Sequence, residues 1–479
     1  MKKSLGVGTA FMMGAEFAVI LSAYVIHITM ARYLGPELYG VFGVLMSLYL
    51  INKSFLGTGF PRAVSKYLAE SKKNAVKLFK ISINLQLIFS LVFALFYIVF
   101  AKSIATILKD LSLAKYIILL GVIVVPLSFF SLYVNGYMNG LRLFKKQAVV
   151  KIISAVVRVG FTILFLMIGL KIFGVLLAYL ISIVIGCFMV YRIVSRQKNF
   201  KKTKESFSSK KLLKFAIPVT ISALAFTLIR NINVLFIKSL TGEDLLAGLY
   251  TSASTLSNIP YMVFAALPAT LMPSISMSIA AKNVGLTKKY ISKSLRYLLL
   301  LSMPVVVIMI ATSKELITLF YTATYVSAAP VLNILVINSI LLSIFITLVS
   351  IITGSGKPKI EMVIILLFAV LLLVLNYFFV PIMGIVGAAL ASLVSTGLVL
   401  CVSIIYVYKK FKVLTSFKSL LRITLASIVV FIISYYWHYD GILLLFSYLA
   451  FIIIYFLLLF ITGEINKEDI NLFRKVIKF

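Results

Sequence analysis

Apolar runs of roughly 20 residues recur from one end of the chain to the other, separated by short stretches holding Lys, Arg, Pro or Gly. A run of that length, wound as a helix, crosses the hydrocarbon core of a bilayer. Reading each run between its breaks predicts fourteen spanning helices, near 5–31, 38–60, 79–101, 114–135, 147–170, 172–191, 214–238, 246–273, 291–312, 328–352, 360–380, 384–407, 420–437 and 441–461. The predicted fold is an all-α integral membrane protein. Lys2 and Lys3 ahead of the first run imitate a secretion signal, but Glu16 interrupts the run and it continues too far, so it counts as the first membrane helix.

Composition agrees: of 479 residues, 62% are hydrophobic and 13% charged, against roughly 45–50% and 25% in soluble domains. The excess of 47 Lys and Arg over 13 Asp and Glu would suggest nucleic acid in a soluble chain. Here the basic residues sit in short loops, where they set topology instead, and no nucleic-acid partner is expected. The loops on one side hold only Arg32, Lys102, Lys109, Lys115, Lys171, Lys238 and Lys314, whereas those on the other hold nearly all the remaining cations. The positive-inside rule therefore places the protein in the cell membrane as a multi-pass chain with both termini cytoplasmic. Cys187 and Cys401 each lie inside an apolar run and read as packing residues.

Two weak correspondences between the halves indicate an internal repeat. Ala31 to Gly40 after the first span parallels Lys238 to Gly248 after the seventh, and Gly174, Ala178 and Ser182 match Gly384, Ala388 and Ser392 at a constant offset. The pairs imply six-helix repeats in the same orientation, an arrangement that encloses a central cavity. The expected organisation is an N-terminal lobe over 1–191, a basic cytoplasmic linker over 192–213, a C-terminal lobe over 214–410, and helices 13 and 14 with a cytoplasmic tail over 411–479. The linker reads first as a solvated topology determinant, with contact to anionic lipid as the alternative. Ile470, Phe473 and Val476 or Ile477 give the tail an apolar face to lay on the membrane.

Four stretches carry a family resemblance. Tyr33-Leu-Gly-Pro-Glu-Leu-Tyr-Gly-Val-Phe42 resembles the first outer loop of the oligosaccharide flippases, the polysaccharide-export branch of the multidrug/oligosaccharidyl-lipid/polysaccharide (MOP) exporter superfamily. Asn139-Gly-Leu-Arg142 is similar, as is Leu319 to Tyr325 followed by Ala329 to Leu335, although that family usually has Gly where Tyr321 or Thr322 stands. The strongest match is Gly356-Lys-Pro-Lys359, then Asn376, then Pro381 to Ala389. The resemblance implies a two-lobed, fourteen-helix flippase that moves polyprenyl-linked oligosaccharide from the cytoplasmic to the outer face, for envelope polysaccharide or glycoprotein glycan assembly. It implies partners in membrane lipids and in polysaccharide-assembly proteins.

A charge in the hydrocarbon region costs at least ~2.5 kcal/mol, so an intramembrane ion faces protein or water and is functional by default. Lys53 lies nine residues before Arg62 and Arg158 eleven after Gln147, about 13 and 16 Å deep. Arg230 falls nearer the outer face. Together with the resemblance, these three cations are candidates for the phosphate or pyrophosphate of a lipid-linked sugar. Guanidinium presents a planar fork to phosphate oxygens, whereas Lys supplies a mobile point charge. The competing reading has Lys53 and Arg230 snorkelling and Arg158 pairing with Glu16. Glu16 and His27 share one face of the first span and are candidates for coupling to a proton or sodium gradient; the alternative is a counterion and an interfacial polar residue. Ser154 and Thr162 flank Arg158 at helical spacing, and Ser339, Ser343 and Thr347 form a second stripe. Both stripes are candidates for sugar contacts, with helix packing as the plainer use of the same residues. Pro260, Pro268 and Pro273 predict a bend in the eighth span.

Other chemistries find little support. Gly354-Ser-Gly-Lys357 is followed by Pro358, so the hydroxyl residue of a phosphate loop is absent. No metal-ligand spacing, no cofactor motif and no catalytic residue set is present. The expectation is a transporter and not an enzyme. A proton- or sodium-coupled multidrug exporter of the same superfamily and a non-transporting scaffold stand as alternatives; the first wants a more acidic cavity than Glu16 alone provides.

Overall fold

A computed structural model of the chain describes residues 2–70, 75–196, 207–264, 266–437, 439–465 and 469. Among these residues every regular element is helical, as hydrocarbon demands of a chain whose backbone must satisfy its own hydrogen bonds. Eleven helical stretches among the described residues are long and apolar enough to cross a membrane. Two of them are each a pair of helices merged across a kink. In α1 (Lys2–Gly57) the kink is Gly35, with φ 77° and ψ 174°; in α14 (Pro358–Phe411) it is Gly384, with φ 56° and ψ −130°. Only glycine adopts such angles without strain. Both kinks fall where the apolar pattern places an outer turn between consecutive spans.

The chain divides into two units, Met1–Gly248 and Leu249–Phe479. The first contains α1, α2 (Gly59–Glu70), α3 (Ala75–Val99), α4 (Ala101–Ile107), α5 (Ala114–Ser131), α6 (Phe144–Met167), α7 (Lys171–Ser195), α8 (Ser209–Thr241) and the start of α9 (Asp244–Phe264). The seventh expected span is α8, and it packs on α1 and α2 within this unit. The division thus falls after Gly248 rather than within the basic stretch 192–213, whose residues 197–206 lie outside those described.

Within the first unit α1 packs along α6, α6 along α7, and α5 against α3 and α7. Phe60, Val64, Leu68, Leu78, Leu132, Met138 and Val190 form an apolar core at one end. At the other, Lys238 is 1% exposed. It is held by Asp244 Oδ1 at 2.7 Å and Asp110 Oδ2 at 3.7 Å, and donates to the Gly242 carbonyl at 3.0 Å. Burial pushes the Asp244 carboxyl above its ordinary range, against the pull of Lys238 beside it. The two turns matched in the sequence repeat meet here. A Cβ on Gly40 would stand 1.9 Å from the Asp244 carbonyl oxygen, and one on Gly248 would stand 1.9 Å from the Pro36 carbonyl oxygen. Glycine at both positions permits this reciprocal approach.

The second unit contains the rest of α9, α10 (Ala266–Ala280), α11 (Val284–Ala311), α12 (Ser313–Phe320), α13 (Ala329–Gly354), α14, α15 (Phe417–Tyr436) and α16 (Leu443–Ile461). α13 packs on α14, α10 and α11. The helices beyond the repeat, α15 and α16, dock on α11 through Leu300, Ile308, Ile423, Val430, Phe451 and Tyr455. The eighth expected span falls on α9 and α10, which contain Pro260 and Pro273. The tail residues Ile470, Phe473, Val476 and Ile477 lie outside the described residues.

Candidate functional site

The first unit contains a cavity of about 110 Å³ in which most of the charged membrane residues of its helices converge. Four helices and a turn build it. The first segment of α1 brings Glu16 and Val19, and the segment after the Gly35 kink brings Tyr49 and Lys53. α6 contributes Lys151, Ser154, Ala155 and Arg158 from one stripe, and α7 contributes Ser182 and Ile183. The wall from α5 continues into a π-helical turn, Leu132–Met138, which carries Val134 and Asn135 to the cavity. The wider coil of such a turn re-aims side chains that an α-helix would send elsewhere, and turns of this kind gather at functional sites.

Arg158 is anchored on one side only. It donates from Nη2 to Ser22 Oγ at 2.8 Å, and its guanidinium lies 5.0 Å from the centre of the Tyr179 ring. Tyr179 is fixed edge-on by Tyr49, with centroids 5.2 Å apart. Arg158 Nε and Ser154 Oγ are buried with no hydrogen-bond partner among the described residues. α7 comes close to this spot because residue 186 is glycine: a Cβ there would fall 2.4 Å from the Phe130 ring and 2.8 Å from Ser154 Oγ.

Glu16 is paired, and its partner is Lys151, at 2.5 Å. The alternative Glu16–Arg158 pair is not formed; Arg158 donates to Ser22 instead. Lys151, which falls inside the fifth expected span at 147–170 but counts by charge with the basic loop before it, stands two turns before Arg158 on the same face of α6. The cavity therefore holds three cations, Lys53, Lys151 and Arg158, against one carboxylate already engaged. An unbalanced cationic chamber with unpartnered donors attracts an anion.

The remaining candidates are elsewhere. Arg230, on α8, is not among the lining residues. His27 packs edge-on against Tyr39 and Phe42, with Nδ1 2.9 Å from the Tyr39 hydroxyl, so it does not join Glu16. Thr162 is buried one turn beyond Arg158 with an unpartnered hydroxyl. Ser339, Ser343 and Thr347 lie on α13 in the second unit, buried, each donating to a carbonyl of its own helix at 2.7–2.8 Å. That arrangement satisfies their donors without a ligand.

This fold and cavity define a polytopic α-helical membrane protein with a cationic chamber among its first seven helices. The family model described as "Polysaccharide biosynthesis protein" matches residues 5–279, and the MatE model matches 218–378. The chain belongs to the polysaccharide biosynthesis protein family, within the MOP exporter superfamily. It is 28% identical over 389 residues to the uncharacterized membrane protein MJ1375 of Methanocaldococcus jannaschii, covering 78% of this chain and 91% of that one. To the lipid II flippase MurJ of Bacillus subtilis it is 26% identical over 437 residues, covering 78% of each chain. A solved structure of lipid II flippase MurJ in an inward closed conformation shares the fold, with a TM-score of 0.78, 17% identity and coverage of 97% of this chain and 99% of that one.

Proposed function

We propose that the chain is a flippase that carries a polyprenyl-phosphate- or pyrophosphate-linked saccharide from the cytoplasmic to the outer face of the cell membrane by alternating access. The observation that carries this reading is the charge of the cavity: three cations, one engaged carboxylate, and two buried polar atoms without partners. Arg158 and Lys53 receive the phosphate, Lys151 adds charge, and Ser154 faces the same space. The lipid tail stays in the bilayer while the headgroup passes. Nothing in this requires a cofactor; a proton or sodium gradient, or the membrane potential, supplies the work. Similarity to the lipid II flippase MurJ of Bacillus subtilis supports the assignment of a lipid-linked substrate.

The test is outward flipping of a labelled polyprenyl-pyrophosphate sugar by the protein in liposomes. Arg158→Ala should slow it about 100-fold and Lys53→Ala about 10-fold, the range that loss of a charge-assisted phosphate contact brings. Wild-type rates in both variants would refute the cationic site. The MatE match over residues 218–378 favours a second reading, efflux of organic cations. Cation efflux without sugar-lipid movement in the same liposomes would select it, though a cavity whose one carboxylate is tied to Lys151 suits it poorly.

A further inference from the structure

A second concave site lies outside the cavity, at the end of the first unit where α6 begins and α7 ends. It is a groove of about 390 Å³ lined by Lys145, Lys146, Val149, Arg192, Ile193 and Arg196. α6 and α7 run antiparallel in contact, so the first turn of one and the last turn of the other meet on the face that carries the basic loops. All four cations are exposed. None is in an ion pair with a carboxylate among the described residues. Two are instead braced by rings: Lys145 stands 5.1 Å from the Phe11 ring centre and Arg192 4.4 Å from that of Phe188. α6 starts without a side-chain cap and without an acidic residue in its first turn, so its free N–H groups add to the positive potential.

Four cations with no counter-charge among the described residues, set in a hollow, attract an anion. The other two lining residues say which kind. Val149 is one turn further into the membrane than Lys145 and is 50% exposed, and Ile193 lies beside the arginines. Exposed Phe188 and Tyr191 stand on the same end of α7, where aromatic side chains mark the headgroup level. A free phosphate would use the basic rim and leave the apolar lining idle. We propose that this groove is a binding site for the headgroup of an anionic phospholipid: the phosphate sits among Lys145, Lys146, Arg192 and Arg196, and the glycerol and first methylenes lie along Val149 and Ile193. The assignment rests on the groove alone and is independent of what crosses the cavity.

The detergent-purified full chain, titrated with phosphatidylglycerol or phosphatidylcholine and followed by native mass spectrometry, tests this. The wild type should retain phosphatidylglycerol selectively. The variant K145Q/K146Q/R192Q/R196Q should lose that binding by about tenfold or more, since each juxtamembrane cation contributes appreciably to anionic-lipid attraction. A charge-matched variant on other basic loops, K288Q/K289Q/K359Q/K409Q, should keep it. Because the groove cations are exposed, the single reversal Arg196→Glu should also weaken binding, by about threefold, in a protein that melts as the wild type does. Unchanged binding in the groove variant would overturn the site, and an equal loss in the charge-matched variant would reduce it to diffuse surface charge. Displacement of the lipid by millimolar inorganic phosphate would overturn the lipid and leave a free-phosphate site.

Discussion

Each unit has its own ionic cluster, and the two are built on opposite principles. In the second unit Arg296 on α11 donates from Nε to Glu464 at 2.6 Å, from Nη1 and Nη2 to Asp469 at 3.2 and 3.0 Å, and from Nη2 again to the Glu464 carbonyl. Tyr297 donates to Asp469 at 2.6 Å and Ser419 donates to Glu464. Arg422 closes the set at the Gly463 carbonyl, at 3.1 Å. Glu464 and Asp469 are each about 4% exposed at the side chain. In the first unit Arg158 has one hydrogen bond and one aromatic face, its Nε is unpartnered, and the nearby carboxylate belongs to Lys151. A mostly buried cation with four of its five N–H donors on carboxylates and a carbonyl is a fastener, here tying α15, α16 and the chain beyond them to α11. One with a donor to spare beside an open cavity is prepared for a ligand.

Removing the cation from each cluster separates these roles. Arg296→Ala leaves buried Asp469 without an ionic partner and Glu464 with only Arg422, at 3.7 Å, which should cost about 3–5 kcal/mol and lower the melting temperature of the purified protein sharply. Arg158→Ala should leave that temperature close to wild type and stop transport instead. If Arg296→Ala melts as the wild type does, the fastener reading fails. If Arg158→Ala unfolds the protein, the apparent readiness of its cluster is structural. Arg158→Lys comes next in size. It preserves the charge but gives up the fork and the flat stack on Tyr179, and should slow flipping about tenfold. Tyr179→Leu, which keeps Arg158 and removes only its platform, should slow it about threefold.

These contrasts were partly legible in the amino-acid order. A charge within an apolar run is costly enough to be conspicuous, so Lys53, Arg158 and Glu16 announce themselves, and the cavity does bring them together. The kinks at Gly35 and Gly384 are legible for a similar reason, since a break in an apolar run has few local causes. Lys151 was missed because it was grouped with the basic loop before α6, yet Gln147, Lys151, Ser154, Arg158 and Thr162 recur at three- and four-residue intervals, and following that stripe one turn back would have found it. Tyr49 and Tyr179 carried no signal, because an aromatic in an apolar run looks like core until its neighbour proves to be a guanidinium. Depth alone placed Arg230 and His27 near mid-membrane or beyond but said nothing about the face each one occupies. The π-helical turn at Leu132–Met138 depends on the packing around it and left no local trace.

The smallest effect concerns the charge balance of the cavity itself. Glu16 is 53% exposed at the side chain while Lys151 is 14% exposed, so the pair is half open to solvent and should contribute less than about 1 kcal/mol to stability. Glu16→Gln therefore changes the electrostatics without endangering the fold. It frees Lys151, gives the cavity a third unneutralised cation, and should leave sugar-lipid flipping within about threefold of wild type with its response to an imposed proton or sodium gradient intact. A counterion can be removed in this way; a coupling group cannot. Loss of the gradient response, with flipping down a substrate gradient preserved, would make Glu16 the residue that takes up the ion and Lys151 the partner it exchanges for it, and the first unit would then resemble a coupled site more than a passive phosphate cradle.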